Sequence, residues 1–163
     1  MPKKIAQFLS DNWLLSFMIA AIVLALVDIF AHEKKPAESF LLYFLFIIYG
    51  LANINAFIWH WSEPLAKKVR AGLGWKFSPF QKEVAAADGA FGILGVLCYW
   101  IRGDFWTATV IGCSFMYFMM GVGHILSLRR NGNKSVLNAG SVLYFDIIFP
   151  VVMVFLLILW KSG

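Results

Sequence analysis

The sequence has little charge and almost no cysteine. Only 14% of its residues are Asp, Glu, Lys or Arg, whereas soluble domains carry about 25%, and this shortage excludes an ordinary soluble surface. The two cysteines, Cys98 and Cys113, form no CxxC pair and no metal-ligand spacing, which excludes a disulfide framework or a zinc module. We expect both to be packing residues. The sequence also contains no internal repeat and no low-complexity tract.

Long apolar runs are what the sequence has in abundance. Hydrophobic residues make up 61% of the 163 residues, and they gather in five runs of about 18 or more residues. As a helix, each run is long enough to cross about 30 Å of hydrocarbon. We therefore predict an all-α integral membrane protein that forms a single domain in the lipid bilayer. The five predicted transmembrane helices cover residues 13–31, 40–61, 79–101, 105–128 and 136–160.

Basic residues set the predicted orientation. Lys and Arg accumulate in cytoplasmic loops of membrane proteins, so the net charge of +5 indicates topology and not a nucleic-acid partner. With the N-terminus in the cytoplasm and the C-terminus outside, ten of the 14 basic residues lie inside and four outside. The first span has no small-x-small cleavage site near Ala31, so we expect an uncleaved anchor. The predicted location is the cytoplasmic membrane of a bacterium or an archaeon.

The segment between the second and third spans carries helix-start and capping signals. Residues 62–64, Ser-Glu-Pro, are typical of a helix start, and the residues that follow combine a short apolar face with Lys and Arg. This pattern predicts a short amphipathic segment on the cytoplasmic leaflet. Residues 78–81, Ser-Pro-Phe-Gln, fit a capping box in which Ser78 caps the third helix and the Gln81 side chain bonds back to it.

Polar residues share helical faces within four of the five spans. They recur at steps of three and four, so each of these helices presents a polar stripe to the interior of the bundle. Small residues beside Asp88 allow another helix to approach closely. The stripes comprise Tyr49, Asn53, Ala56 and His60 on the second span, Gln81, Ala85, Asp88, Gly92, Gly95 and Tyr99 on the third, Tyr117, Gly121 and His124 on the fourth, and Ala139, Val142, Asp146 and Pro150 on the fifth.

Depth along each span predicts a site that opens to the cytoplasm. A rise of about 1.5 Å per residue places Asp88 and His124 about 6 Å from the cytoplasmic end of their apolar runs and Asp146 about 15 Å deep, near the midplane. The predicted site is a funnel with Asp146 at its floor. Its binding candidates are Asp88, His124, Asp146, Asn138, Glu83, Gln81 and His60. In the outer half, the sequence places Asp28 near His32.

Asp88, His124 and Asp146 are the strongest candidates for function. A buried carboxylate persists only when it is protonated, paired or bound to a metal. The structural alternative is an Asp–His pair that fixes the register of the helices. The remaining candidates have simpler interpretations, with Gln81 as a cap, Glu83 as an interfacial charge and His60 as part of the aromatic belt.

Metal and haem chemistry have weak support in the sequence. If a divalent metal is bound, Asp88, His124 and Asp146 are its predicted ligands, but no HxxxH or ExxH spacing accompanies them. A haem would require His60 and His124 at matching depth, and His60 is predicted to be shallower. The cofactor therefore stays unassigned.

Several short motifs carry a resemblance to a known family. They are Ser78-Pro79-Phe80-Gln81 with Glu83, Ala87-Asp88 with Gly92, Gly123-His124, Asn138-Ala139-Gly140, Tyr144, and Asp146 with Pro150. Together they resemble the signature of a family of small multi-pass membrane proteins catalogued as a domain of unknown function. The resemblance covers residues from about Trp75 to Trp160. It implies a helical membrane fold whose signature polar residues match the predicted cluster, and it implies no substrate.

Three functions remain open at this point. The first is an inward-facing site that binds or acts on a lipid, a quinone or another amphiphile, with the two carboxyl groups and the histidine as acid and base. The second is a proton-coupled transporter or ion pathway that uses Asp146 as a relay. The third is a non-catalytic accessory subunit that packs in a homo-oligomer or a larger membrane complex.

Overall fold

The computed structural model describes residues 13–163. Every regular element in this part of the chain is a helix, which confirms the predicted all-α class. In chain order the elements are α1 (Trp13–His32), α2 (Pro36–Tyr43), a π-helical segment (Phe44–Ala52), α3 (Asn53–Trp61), α4 (Glu63–Leu73), α5 (Gln81–Leu97), α6 (Asp104–Asn131), α7 (Val136–Ala139) and α8 (Ser141–Ser162).

Four helices among the described residues are long and apolar enough to cross a membrane. They are Trp13–His32, Pro36–Trp61, Asp104–Asn131 and Val136–Ser162. The helix of the remaining predicted span, α5, has 17 residues and gives way to a turn at residues 98–100. It therefore begins two residues later and ends four residues earlier than the sequence predicts. The count of five spans and the orientation stay predictions.

The second long helix contains a π-helical segment that the sequence did not predict. Over Phe44–Ala52 the helix widens, and the backbone N–H of Asn53 donates to the carbonyl of Gly50. The side-chain amide of Asn53 donates to the carbonyl of Tyr49 at 2.9 Å. Such segments are rare and change the register of the residues around them. The polarity pattern of a sequence does not record this change.

The helix α5 packs antiparallel against this second helix at very short range. A Cβ on Gly95 would lie 2.3 Å from the backbone nitrogen of Gly50. One turn earlier, a Cβ on Gly92 would lie 2.9 Å from the backbone nitrogen of Ile54. The two backbones meet where only glycine fits, so the predicted close approach of another helix beside Asp88 is confirmed.

The fifth predicted span is broken near its start. The short helix α7 ends at Gly140, whose backbone is extended, and α8 begins at the next residue. A Cβ on Gly140 would lie 2.2 Å from the carbonyl oxygen of Val136, so this position has room only for glycine.

The bundle has two chemically different ends. At the end we name the basic end, α4 lies beside the turn after α6, where the Asn133 side chain donates to the carbonyl of Leu73 at 2.8 Å. At the opposite end, Arg102 pairs with Glu38, and Lys35 donates to the carbonyl of Gly163. Eight basic residues belong to the basic end and four to the opposite end. They are Lys67, Lys68, Arg70, Lys76, Lys82, Arg129, Arg130 and Lys134, against Lys34, Lys35, Arg102 and Lys161.

Apolar side chains cover much of the outside of the bundle. Phe30, Phe115 and Phe155 are all more than half exposed, and many Ile, Leu and Val side chains accompany them. A soluble monomer does not leave so much apolar surface in water. The exterior is therefore suited to contact with lipid.

Candidate functional site

The centre of the candidate site is a buried pair formed by His124 on α6 and Asp146 on α8. The Nε2 atom of His124 lies 3.5 Å from Oδ2 of Asp146, and the two residues are 5% and 1% exposed. No hydrogen bond within the described residues reaches this carboxylate oxygen. The predicted meeting of the histidine with a carboxyl group is found here.

Asn138 determines which ring nitrogen of His124 faces Asp146. Its Nδ2 atom donates to the carbonyls of Asn133 at 2.8 Å and of His124 at 3.4 Å. Its Oδ1 atom therefore points at Nδ1 of His124, at 3.0 Å, and can only accept. The hydrogen of a neutral imidazole thus sits on Nδ1, and Nε2 is left bare towards the carboxyl group.

The Nε2 atom of His124 and the carboxyl group of Asp146, 3.5 Å apart, offer two places for one proton without a hydrogen bond between them. If the proton is on the carboxyl group, both side chains are neutral, and if it is on Nε2, they form an ion pair. Both states satisfy the requirement that a buried charge be neutralised or paired. The pair is therefore chemically able to hold or pass a proton.

The contact between His124 and Asp146 is closer than their predicted depths imply. Counted along a straight helix, Asp146 is expected near the midplane, well below His124. In the structure Asp146 packs beside Gly121, where a Cβ would lie 3.2 Å from the Asp146 Cβ. Gly121 lies three residues before His124 on α6, a rise of about 4.5 Å, which the two side chains bridge.

Asp88 is a second buried carboxyl group. It faces inward from α5 at 3% exposure, and no side chain within residues 13–163 donates a hydrogen bond to it. A carboxyl group in this position must be protonated or matched by a cation. We call the buried residues Asp88, His124, Asn138 and Asp146 the cluster.

Polar groups continue from the cluster towards the middle of the bundle. The Tyr117 hydroxyl donates to Oδ1 of Asn53 at 2.8 Å, and the hydroxyls of Tyr49 and Ser114 are 2.9 Å apart. From His124 to Ser114 these groups extend over about 15 Å along α6. The sequence placed Tyr49, Asn53 and Tyr117 on polar stripes, but it did not reveal that they bond to one another across helices.

Beyond Ser114 the core becomes apolar. Trp106 and Val110 are fully buried with Met153. The indole nitrogen of Trp106 donates to the carbonyl of Cys98 at 2.7 Å, so it offers nothing to a ligand. Cys98 and Cys113 are both free and buried, in agreement with the packing role expected for them.

The residue Gln81 does not act as the predicted helix cap. Its side chain accepts a hydrogen bond from Arg70 at 2.6 Å and donates to the carbonyl of Ala66 at 3.4 Å, both on α4. Arg70 also bonds Glu63 at 2.6 Å, and this hydrogen bond lowers the pKa of the Glu63 carboxyl below its usual range. The capping box is therefore wrong, because α4 offers the Gln81 side chain better partners and α5 begins at Gln81 without a side-chain cap. Ser78 accepts a hydrogen bond from the backbone N–H of Phe80 at 3.3 Å, before the helix begins.

The helix α4 closes the basic end of the bundle. It buries Ala66 and Leu73, and α7 packs against it where a Cβ on Gly72 would lie 2.7 Å from Leu137. The ring of Trp75 stacks towards His124 with 6.5 Å between ring centroids. The cluster is thus covered and does not line the predicted open funnel.

Two predicted site residues are not brought into the cluster. Glu83 is exposed on the first turn of α5. His60 is partly buried on α3, and its Nδ1 atom has no hydrogen-bond partner among the described residues. No contact in the described part of the chain joins either residue to His124, so the structure offers no support for a two-histidine haem site.

The residues around the cluster give a metal no ready site. Across residues 13–163, no group of three His, Cys, Asp or Glu side chains has the geometry to hold a metal ion. Asp88, His124 and Asp146, the ligands predicted if a metal were bound, do not form such a group. The chemistry that the arrangement favours is proton binding.

An apolar groove of about 210 Å³ lies between α1 and the fifth span. Leu137 and Phe145 line it, and each is the chain neighbour of a buried polar residue, Asn138 or Asp146. Trp13 and Met18 of α1 form the facing wall. The groove has room for part of an apolar molecule.

Comparison with known protein families gives one match. The model of a family described as "Family of unknown function (DUF6790)" matches residues 11–163. The chain belongs to this family. The match extends the resemblance seen in the motifs, because it includes the first two spans of the DUF6790 chain as well. No curated protein and no solved structure matches this DUF6790 protein significantly.

Proposed function

We propose that this protein is a five-span membrane protein with a protonatable site that binds an amphiphile from the cytoplasmic leaflet. In this proposal the apolar part of the ligand occupies the groove between α1 and the fifth span. Its polar head reaches the cluster of His124, Asp146 and Asp88. The observation that carries the proposal is the buried His124–Asp146 pair, since Phe145, the chain neighbour of Asp146, lines the apolar groove.

The packing of α5 supports a fifth membrane span. At its start, Lys82 bonds the carbonyl of Trp61, which ends the second long helix. After its last turn, Arg102 pairs with Glu38, which lies near the beginning of that same helix. The segment from Lys82 to Arg102 therefore runs beside nearly the whole of a helix that is long enough to span the bilayer.

Charge supports the orientation with the basic end in the cytoplasm. The basic end carries twice as many Lys and Arg side chains as the opposite end among the described residues. Lys3 and Lys4, which also entered the prediction, lie outside the described residues. Positive charge next to membrane spans favours the cytoplasmic side.

Two engineered cysteines test this orientation. Lys68→Cys lies on α4 at the basic end, and Asp104→Cys lies at the exposed start of α6 at the opposite end. The native cysteines are buried and give little background. With a membrane-impermeant maleimide on intact cells, we expect labelling of Asp104→Cys alone. Labelling of Lys68→Cys without permeabilisation would overturn the orientation.

The distribution of polar groups favours a one-sided site over a through-pathway. The side-chain hydrogen bonds that extend from the cluster reach Tyr49 and Ser114, whereas the buried Thr109 and Trp106 that follow on α6 donate only to backbone carbonyls. A simple channel requires polar groups or water along its whole length. We therefore place binding ahead of transport.

Native mass spectrometry of the purified protein, combined with metal analysis, tests the proposed site. The wild type is compared with Asp146→Asn and His124→Ala, and Asp28→Asn serves as a carboxylate control at the opposite end. We expect an apolar small molecule to accompany the wild type and the control but to be lost from the two site variants. If both site variants keep the same bound species as the wild type, the inward-facing site is wrong.

A further inference from the structure

We propose further that the ligand of this site is a monovalent lipophilic cation, such as an alkylammonium, which binds in exchange for a proton. This inference rests on the proposed function and names the class of its ligand. It follows from the charges and hydrogen-bond donors that surround the two buried carboxyl groups.

The cluster contains more acidic than basic groups. Asp88 and Asp146 are accompanied by one buried histidine, and Arg70, the basic side chain of α4 that is not exposed, is already bonded to Glu63 and Gln81. Anions are therefore poor ligands, because their charge would add to that of the carboxylates. On the π-helical segment and on α3, α4 and α6, the titratable or charged side chains that are not exposed are Tyr49, His60, Arg70, Cys113, Tyr117 and His124.

The hydrogen-bonding pattern favours a ligand that brings positive charge. Oδ2 of Asp146 is fully buried without a hydrogen bond, and Asp88 receives none from the described residues. The nearby donors are committed elsewhere, since the Tyr117 hydroxyl bonds Asn53 and Nδ1–H of His124 bonds Asn138. A proton or a cation stabilises such a carboxylate, whereas a neutral acceptor or an anion does not.

Aromatic rings near the cluster add to the attraction for a cation. Trp75 stacks towards His124, and Phe145 packs edge-on against Tyr117 with ring centroids 5.8 Å apart. Phe145 also lines the apolar groove, so it lies where an alkyl chain would meet its headgroup. The faces of aromatic rings attract quaternary ammonium groups.

The exchange balances in charge and atoms. The neutral carboxylic acid of Asp88 or Asp146 releases its proton to solvent, and the carboxylate that remains pairs with the incoming cation. One proton leaves for each monovalent cation bound, and no oxidant or reductant is required. Because the cation binds the deprotonated site, its affinity rises with pH, by about tenfold per pH unit while the site starts protonated.

Three ligands with the same tail test the class of the headgroup. Decyltrimethylammonium, decanol and decanoate are compared by equilibrium dialysis against the full chain in phosphatidylcholine nanodiscs, with empty nanodiscs subtracted. Proton release is recorded with a pH indicator in weakly buffered solution. We expect saturable binding of the ammonium alone, with about one proton released per molecule bound.

Carboxylate variants locate the effect within the molecule. Asp88→Asn or Asp146→Asn should weaken binding of the ammonium by at least about tenfold, while Asp28→Asn, at the opposite end, leaves it unchanged. Asp146→Glu keeps the carboxyl group and should keep proton release. Gel filtration and thermal unfolding of each variant show that a loss of binding is not a loss of folding.

The remaining outcomes distinguish this inference from the proposed function. Preferential binding of decanol or decanoate would overturn the cationic ligand and leave the amphiphile site standing. Binding of the ammonium without proton release or pH dependence would overturn the exchange. If none of the three ligands binds saturably and native mass spectrometry finds no bound species, both proposals fail.

Discussion

The two ends of the molecule each carry a His–Asp pair, and the two pairs differ in almost every other respect. At the opposite end, His32 and Asp28 lie one turn apart on α1 with a nitrogen–oxygen distance of 3.1 Å, and the histidine side chain is 61% exposed. Near the basic end, His124 and Asp146 come from different helices, and both are almost completely buried. The same two residue types therefore sit in opposite environments.

The comparison shows how burial converts an ordinary pair into a candidate site. Asp28 also accepts a hydrogen bond from Ser39 at 2.8 Å, and its partner His32 is exposed to solvent. The polar atoms of that pair therefore have hydrogen-bond partners without a ligand. Asp146 has a buried oxygen without a donor. An exposed ion pair contributes little to the free energy of unfolding. A buried charge that lacks its partner, in contrast, destabilises the fold strongly.

The largest expected effect concerns the apolar packing of the opposite half. Trp106→Ala removes a fully buried indole and should reduce the free energy of unfolding by about 3–5 kcal/mol. Trp100→Ala, which removes an indole that is 68% exposed in the turn after α5, should change it little. Thermal unfolding in detergent measures the stability of both variants. Equal losses of stability would show that the buried apolar side chains do not stabilise this half of the molecule.

The two histidines provide the next contrast. His124→Ala leaves Asp146 buried without a partner and should cost about 3 kcal/mol of stability. His32→Ala removes an exposed partner and should cost less than about 1 kcal/mol. The ranking is checked by unfolding both variants side by side. A greater loss for His32→Ala would mean that the buried pair does not hold the helices α6 and α8 together.

A smaller effect is expected where α5 meets the π-helical segment. Gly95→Ala pushes a methyl group into the backbone at Gly50 and should destabilise the protein by about 1–3 kcal/mol. Gly123→Ala is the matched control on α6, because nothing lies within 4 Å of its added Cβ. If both glycines tolerate alanine equally in thermal unfolding, the close helix contact beside Asp88 is not required.

Asp88 should show the smallest change in stability and a large change in binding. Asp88→Asn keeps the shape of the side chain, so we expect its free energy of unfolding to stay within about 1 kcal/mol of the wild type. Its bound small molecule, followed by native mass spectrometry, should be lost. A stable variant that keeps its ligand would remove Asp88 from the site.

Most of the helices could be predicted from the sequence, because apolar runs and polar stripes follow directly from which side chains avoid water. The runs predicted the helices, and the stripes placed Asp88, His124 and Asp146 towards the interior, where the structure finds them. The amphipathic helix α4 was also predicted, from its basic and apolar residues.

The details that create the site depend on backbone geometry, which a polarity pattern does not contain. The helix break at Gly140 interrupts the predicted fifth span, and it was missed because a single glycine within an apolar run does not by itself end a helix. Gln81 was expected to cap its own helix, but α4 folds back and supplies Arg70. Both features depend on the three-dimensional structure, which a polarity pattern along the chain does not describe.

The most direct test of the account is the protonation of His124 in lipid bilayers. Nitrogen-15 NMR of histidine-labelled protein, with His124 assigned by substitution, reports which ring nitrogen carries hydrogen. We predict hydrogen on Nδ1, held by Asn138, and an Nε2 signal that changes in Asp146→Asn but not in Asp28→Asn. A neutral ring with hydrogen on Nε2 alone, or a spectrum insensitive to Asp146→Asn, would contradict the pairing of His124 with Asp146 on which the proposed site depends.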